Sequence, residues 1–169
     1  SKRAEFPLPF PCFVKPVKAA FSVLARRVDS FDELRRHLAF RPLETYLIKR
    51  LVKPFNDLLP WYTDYTVDAH HMIAEELLDG HQVNVDGYVH EGQVTVLGVI
   101  DENLFPGTYA FRNFEYPSRV PASVQSRIRD LAARALGALG YRHGFFNLEL
   151  AWEPGSGRLR LIEVNPRMA

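Results

Sequence analysis

Apolar side chains recur at every second position in two segments near the end of the chain. The first runs through Phe146, Leu148, Leu150 and Trp152, the second through Ile162 and Val164. Glu153-Pro154-Gly155-Ser156-Gly157 supplies turn chemistry between them, so the pattern predicts a β-hairpin. Further β-rich runs, His71–Leu77, Gln82–His90 and Gln93–Ile100, are punctuated by Asp79-Gly80 and Glu91-Gly92, and they predict a meander with a bulge at Asp86-Gly87. Near the start, Cys12–Lys15 and Leu24–Val28 read as strands joined by a loop around Lys18-Ala19-Ala20-Phe21-Ser22, after a proline-rich extended segment over residues 1–11.

Helical spacing appears three times. Ser30, with Glu33 three residues on, predicts a capped helix to about Leu38. Leu43, Leu47, Leu51, Phe55 and Leu58 predict a second helix broken at Pro54, read as a lid or connecting element. Ala122 to Leu139 predicts a third, with Val124, Ile128, Leu131, Ala135 and Leu139 on one face and Gly140 as its stop. The segment 101–121 reads as a polar, aromatic loop. The order is β-β-α-(α)-β-β-β-α-β-β, an α+β arrangement of mostly antiparallel sheets.

The final hairpin carries chemistry as well as pattern. With Glu149 opposite Glu163, the apolar set points one way while Asn147, Glu149, Glu163 and Asn165 point the other. Two carboxylates facing each other across a ladder repel unless something compensates. Oxygen ligands converging from neighbouring strands suit a hard cation, Mg²⁺ or Mn²⁺, which keeps waters and also binds phosphates. Arg167 adds a permanently charged fork for a carboxylate or phosphoryl group. The competing reading is a solvated polar side of an edge hairpin.

Composition narrows the class. The chain has 169 residues, 47% hydrophobic and 24% charged, an ordinary balance for a folded domain or two small lobes. A net charge of +1 gives no footprint for nucleic acid. Cys12 is the sole cysteine, so there is no disulfide framework or thiolate metal site, and a reducing cytosol is the expected setting. No apolar run reaches the length of a membrane span. The oligomeric state has no signature in the sequence.

The remaining chemistry is dispersed. Lys15 ends an apolar strand just before Pro16, where it can meet a nucleotide's phosphates or simply stand in water. Glu75, Glu76 and Leu78 lie where a strand runs into the Asp79-Gly80 turn, a place that can offer backbone groups to an adenine edge. The histidines show no metal-ligand spacing. GxSxG, P-loop and GxGxxG motifs are absent, which disfavours serine hydrolases, Walker ATPases and Rossmann dehydrogenases.

Taken in order, Phe13-Val14-Lys15-Pro16-Val17 with Ser22, Ala74 to Gly80, Asn147-Leu148-Glu149 and Ile162 to Arg167 resemble the ATP-grasp superfamily over residues 10–169. The nearest subgroup is the carboxylate–amine ligases of the amino-acid or dipeptide type. The resemblance implies two α+β lobes that clamp ATP between antiparallel sheets. It implies Lys15 on the α- and β-phosphates, and Glu75 and Leu78 reading adenine through their main chains, with Glu76 beside them. Glu149, Glu163 and Asn165 would hold one or two Mg²⁺ ions. Arg167 would grip a small-molecule carboxylate, or the acyl-phosphate made from it, before an amine substrate displaces phosphate.

The chain departs from the family pattern in three ways. The loop after Lys15 is usually rich in glycine, whereas here it is Val17-Lys18-Ala19-Ala20-Phe21-Ser22, where Lys18 would supply charge that backbone amides normally provide. Gln82 stands where a ribose-binding acid is usual. The family's preceding domain and its continuation past Asn-Pro-Arg are not found. The expectation is a partial ATP-grasp domain: residues 1–78 in the nucleotide-binding lobe, with a helical insertion at about 41–60, and 79–169 in the metal-binding lobe. The alternative is a module that holds nucleotide and metal without turnover.

Overall fold

The computed structural model describes residues 6–17, 24–64, 71–108 and 111–168. Lys18 and Ser22 fall outside them. The chain divides into two compact units, Ser1–Leu77 and Leu78–Ala169.

The first unit is a three-stranded antiparallel sheet with two helices. Strand β1 (Cys12–Pro16) lies between β2 (Arg26–Val28) and β3 (Met72–Glu76). Cys12 and Val14 of β1 are buried with Val28 of β2 and Leu34 of helix α1 (Phe31–Leu38). Ser30 caps α1 as expected, its Oγ accepting from the Glu33 N–H at 3.2 Å. The Glu33 carboxylate reaches back one residue further than a capping box requires, to the Asp29 N–H at 2.9 Å. Helix α2 (Pro42–Tyr62) runs unbroken through Pro54. Pro42 opens it, where the missing N–H costs nothing, but the expected break at Pro54 does not occur. Leu43, Leu47, Leu51 and Leu58 of the predicted stripe are exposed, and Val52 is the buried residue of the helix among those described.

The second unit is a five-stranded antiparallel sheet in the order β6-β5-β4-β7-β8. Its strands are β4 (His81–His90), β5 (Gln93–Leu104), β6 (Phe111–Glu115), β7 (Gly144–Glu153) and β8 (Arg158–Asn165). One face is apolar and is covered by α3 (Ala122–Ala138). Val124, Ile128, Ala132 and Leu136 pack on Val83, Val85, Phe146, Leu148 and Leu150. A core of this kind follows from a period of two on the strands and about 3.6 on the helix.

Several sequence expectations need correction. The run of three strands is not a meander, because β3 pairs with β1 in the other sheet; only β4, β5 and β6 form one. The segment 101–121 is not all loop: β5 continues to Leu104, and Phe111–Glu115 forms β6 against it. The buried stripe of α3 runs through Ala132 and Leu136, and Leu139 is exposed past the helix end. The bulge at Asp86/Gly87 is present. A second bulge falls in the hairpin, where Glu149 pairs with Glu163 but Leu150 pairs with Leu161. Ile162 is the extra residue, so Leu159 and Val164, not Ile162, pack against the core.

Candidate active site

The other face of the second sheet is polar, and its residues follow from strand alternation. On β4, Gln82, Asn84 and Asp86 alternate with the buried Val83 and Val85. Asn84 pairs with Glu149, and Glu149 with Glu163; one row on, Asp86 pairs with Asn147, and Asn147 with Asn165. On the opposite side of β4, Gln82 pairs with Glu102 of β5. Four strands therefore bring four carboxylates (Asp86, Glu102, Glu149 and Glu163) and four amides (Gln82, Asn84, Asn147 and Asn165) to one surface.

Hydrogen bonds organise this surface. Asn165 Nδ2 donates to Asn147 Oδ1 at 3.3 Å and to Glu149 Oε1 at 3.4 Å. Asn147 Nδ2 donates to Asn84 Oδ1 at 2.9 Å and to Asp86 Oδ1 at 3.0 Å. Asn84 Nδ2 donates to Glu102 Oε1. Asn84, Asn147 and Glu102 are buried, whereas Glu163 is exposed. Glu102 Oε2 is buried with no hydrogen-bond partner among the described residues. A buried carboxylate oxygen without a donor is costly.

Adjacent acids on β5 illustrate how the face decides the chemistry. Glu102 is pushed up to about 7, first by burial and then by the Glu149 carboxylate, against hydrogen bonds from Asn84 and Gln82. Asp101 pairs with Val83 on the helix side. Burial would raise its carboxyl too, but Ser118 Oγ, the Arg119 N–H at 2.8 Å and His81 at 3.2 Å hold it below the usual range. Asp101 thereby ties the strand to the segment entering α3. A cleft of about 450 Å³ opens at this end of the sheet, lined by Gln82, Glu102, Arg112 and Glu115 among others.

The predicted site residues divide between the two units. Lys15, Glu75 and Glu76 belong to the first. Lys15 Nζ lies 2.8 Å from Glu75 Oε2, a diagonal pair across β1 and β3, while Glu76 ends β3 in an exposed position. Leu78 opens the second unit, two residues before Gly80. Gly80 has φ 128°, and an added Cβ would lie 2.8 Å from the Trp152 carbonyl carbon, so the turn that delivers Gln82 to β4 requires glycine. Arg167 is exposed, its Nη1 donating to the Met168 carbonyl at 2.8 Å.

Glu149, Glu163 and Asn165 lie together on the polar face, Glu149 opposite Glu163 and Asn165 Nδ2 reaching Glu149 Oε1, with Glu163 exposed. Among the described residues no group of three or more His, Cys, Asp or Glu side chains is arranged to hold a metal ion. A cation here would therefore rest on two carboxylates and an amide, completed by water or phosphate oxygens, a donor set that fits Mg²⁺ better than a softer metal. Sequence reasoning missed Glu102, Asn84 and Asp86. The alternation of Gln82, Asn84 and Asp86 with valines was a visible signal for the last two; Glu102 was hidden in a segment read as loop.

The chain matches the ATP-grasp domain over residues 8–169. The chain belongs to the ATP-grasp family. It is 28% identical over 172 residues to carnosine synthase 1 of Gallus gallus, an alignment covering 95% of this chain and 16% of that protein. The fold is similar to that of an L-amino acid ligase from Bacillus licheniformis, with TM-score 0.67, 21% identity, and coverage of 97% of this chain and 34% of that one. It is also similar to the biotin carboxylase domain of the Hydrogenobacter thermophilus 2-oxoglutarate carboxylase, solved with MgADP and bicarbonate, with TM-score 0.70, 18% identity, and coverage of 99% and 33%. The chain thus spans about a sixth of the length of the first relative and about a third of these structures. No helix among the described residues is long and apolar enough to cross a membrane.

Proposed function

We propose that this ATP-grasp chain is the nucleotide- and metal-binding portion of an ATP-dependent carboxylate–amine ligase. The observation that carries the reading is the polar sheet face, with Glu149 directly across from Glu163 and Asn165 hydrogen-bonded to Glu149. Glu149, Glu163 and Asn165 would hold Mg²⁺, which supplies charge neutralisation on the nucleotide's phosphates. That a structural relative was solved with MgADP supports the choice of ion.

In this reading Lys15 leaves or shares its Glu75 partner to meet the α- and β-phosphates, with Lys18 adding charge and Ser22 lying in the same loop. Backbone groups of Glu75 and Leu78 read the adenine edge beside Glu76, and the Gln82 amide hydrogen-bonds a ribose hydroxyl. Arg167 orients the substrate carboxylate through its fork. A carboxylate oxygen attacks the γ-phosphorus, the bond from phosphorus to the β–γ bridging oxygen breaks, and ADP leaves. The amine nitrogen then attacks the acyl carbon, the carbon–oxygen bond to phosphate breaks, and the nitrogen loses a proton. No protein nucleophile is needed, so positioning and electrostatics carry the catalysis.

The glycine-free loop after Lys15 and the neutral Gln82 favour a second reading, a module that binds nucleotide and metal without turnover. ATP hydrolysis measured with and without a carboxylate plus an amine separates the two. Stimulation by the pair supports the ligase, and binding without stimulated hydrolysis supports the module. Absence of nucleotide binding counts against both.

A further inference from the structure

We propose that the buried amides of Asn84 and Asn147 and the half-buried amide of Asn165 form a directional relay that fixes which atom of Asn165 is offered to a divalent cation. This rests on the cation reading of Glu149, Glu163 and Asn165 given above. An asparagine serves a hard cation only through Oδ1, because its Nδ2 is a donor. An unrestrained amide can present either edge. In this sheet the edge is chosen.

Asn165 Nδ2 is committed to two acceptors on β7, Asn147 Oδ1 at 3.3 Å and Glu149 Oε1 at 3.4 Å. With both protons engaged there, Oδ1 occupies the other branch of the amide. Asn147 Oδ1 is in turn available as an acceptor because its own Nδ2 faces Asn84 Oδ1 and Asp86 Oδ1, at 2.9 and 3.0 Å. Asn84 is oriented the same way by Glu102 Oε1, which accepts from Asn84 Nδ2.

Reversing Asn84 or Asn147 would set donor against donor at one side and oxygen against oxygen at the other, and reversing Asn165 would set its oxygen against those of Asn147 and Glu149. Glu102 Oε1 at one end of the relay and Asp86 Oδ1 beside its middle amide accept and so give it its direction. Asn84 is 4% exposed, Asn147 2% and Glu102 4%, so water does not replace a lost partner. In the cation reading Asn84 and Asn147 are not ligands. They are positioning residues, acting across β4 and β7 on a ligand in β8.

The test is a double-mutant comparison in the full chain, with Mn²⁺ binding followed by electron paramagnetic resonance in the presence of ADP. Asn147→Leu removes the relay's middle amide with little change in volume. It is expected to weaken Mn²⁺ binding about tenfold or more when residue 165 is asparagine. In an Asn165→Asp background both branches of residue 165 are oxygens, and Asn147→Leu is expected to change affinity by less than about twofold. Equal losses in the two backgrounds, or no loss in either, overturn the relay. Where Asn147→Leu does not fold by circular dichroism, Asn84→Ala carries the same comparison from one step further back. Binding by the wild type that Glu163→Gln abolishes, with no effect at residue 147, sinks the relay alone. A wild type that takes up no Mn²⁺ sinks the relay and the cation reading together.

Discussion

Glu163 and Glu102 sit on the same sheet face and are expected to respond to substitution in opposite ways. Glu163 is exposed and costs little to leave unpaired, so Glu163→Gln is expected to leave thermal stability nearly unchanged while weakening Mg²⁺-dependent binding of an ATP analogue by at least about tenfold. Calorimetry with and without Mg²⁺ reads this directly. Glu102 is buried and holds its proton up to about 7 when folded, against an ordinary value of 4.5. Between those values the folded chain binds more protons than the unfolded one. Its contribution to stability is therefore complete below about 4.5 and is lost as pH rises through about 7, a change on the order of 3 kcal/mol at most. Urea unfolding between pH 5 and 8, in chelator, is expected to show that decline in the wild type and a flatter profile in Glu102→Gln. Asp101, held low by its hydrogen bonds, contributes stability that is lost only as pH falls, outside this window. A wild-type profile that is flat over pH 5 to 8 would remove Glu102 from the account.

Elements were legible where a single local signal decided them. Ser30 with Glu33 announced α1, and Ser30→Ala is expected to cost about 1 kcal/mol by chemical denaturation, through the lost bond to the Glu33 N–H. The final hairpin was legible down to the pairing of Glu149 with Glu163. Its bulge was not, because a one-residue insertion leaves the apolar alternation nearly intact on either side while moving Ile162 out of phase. Strand β6 was missed for a different reason. Phe111-Arg112-Asn113-Phe114-Glu115 is exposed for most of its length, so no alternation marks it. In α2 the helix continues through Pro54 despite the local penalty of an interior proline. Gly80 is the clearest local requirement: Gly80→Ala forces a side chain into φ 128° and against the Trp152 carbonyl, and is expected to destabilise the second unit by about 2–4 kcal/mol. Thermal unfolding indistinguishable from wild type would contradict that placement.

For the whole molecule, family membership rests on the match to the ATP-grasp domain over residues 8–169, and the fold on structural likeness across nearly the full chain. The clustering of Glu149, Glu163 and Asn165, the proposed metal ligands, was readable because alternation puts them on one face. Asn84 and Asp86 carried the same alternation signal within β4, whereas Glu102 reaches that face only once β5 pairs with β4 in register. Substrate choice is less local still, since this chain spans about a sixth of one curated relative. The central claim is that the polar sheet face serves a nucleotide through a divalent cation. Titration calorimetry of the chain with a non-hydrolysable ATP analogue, with and without Mg²⁺, tests it most directly. The account predicts binding with Mg²⁺ that weakens at least tenfold when the ion is chelated. Equal binding under both conditions, or none in either, would contradict it.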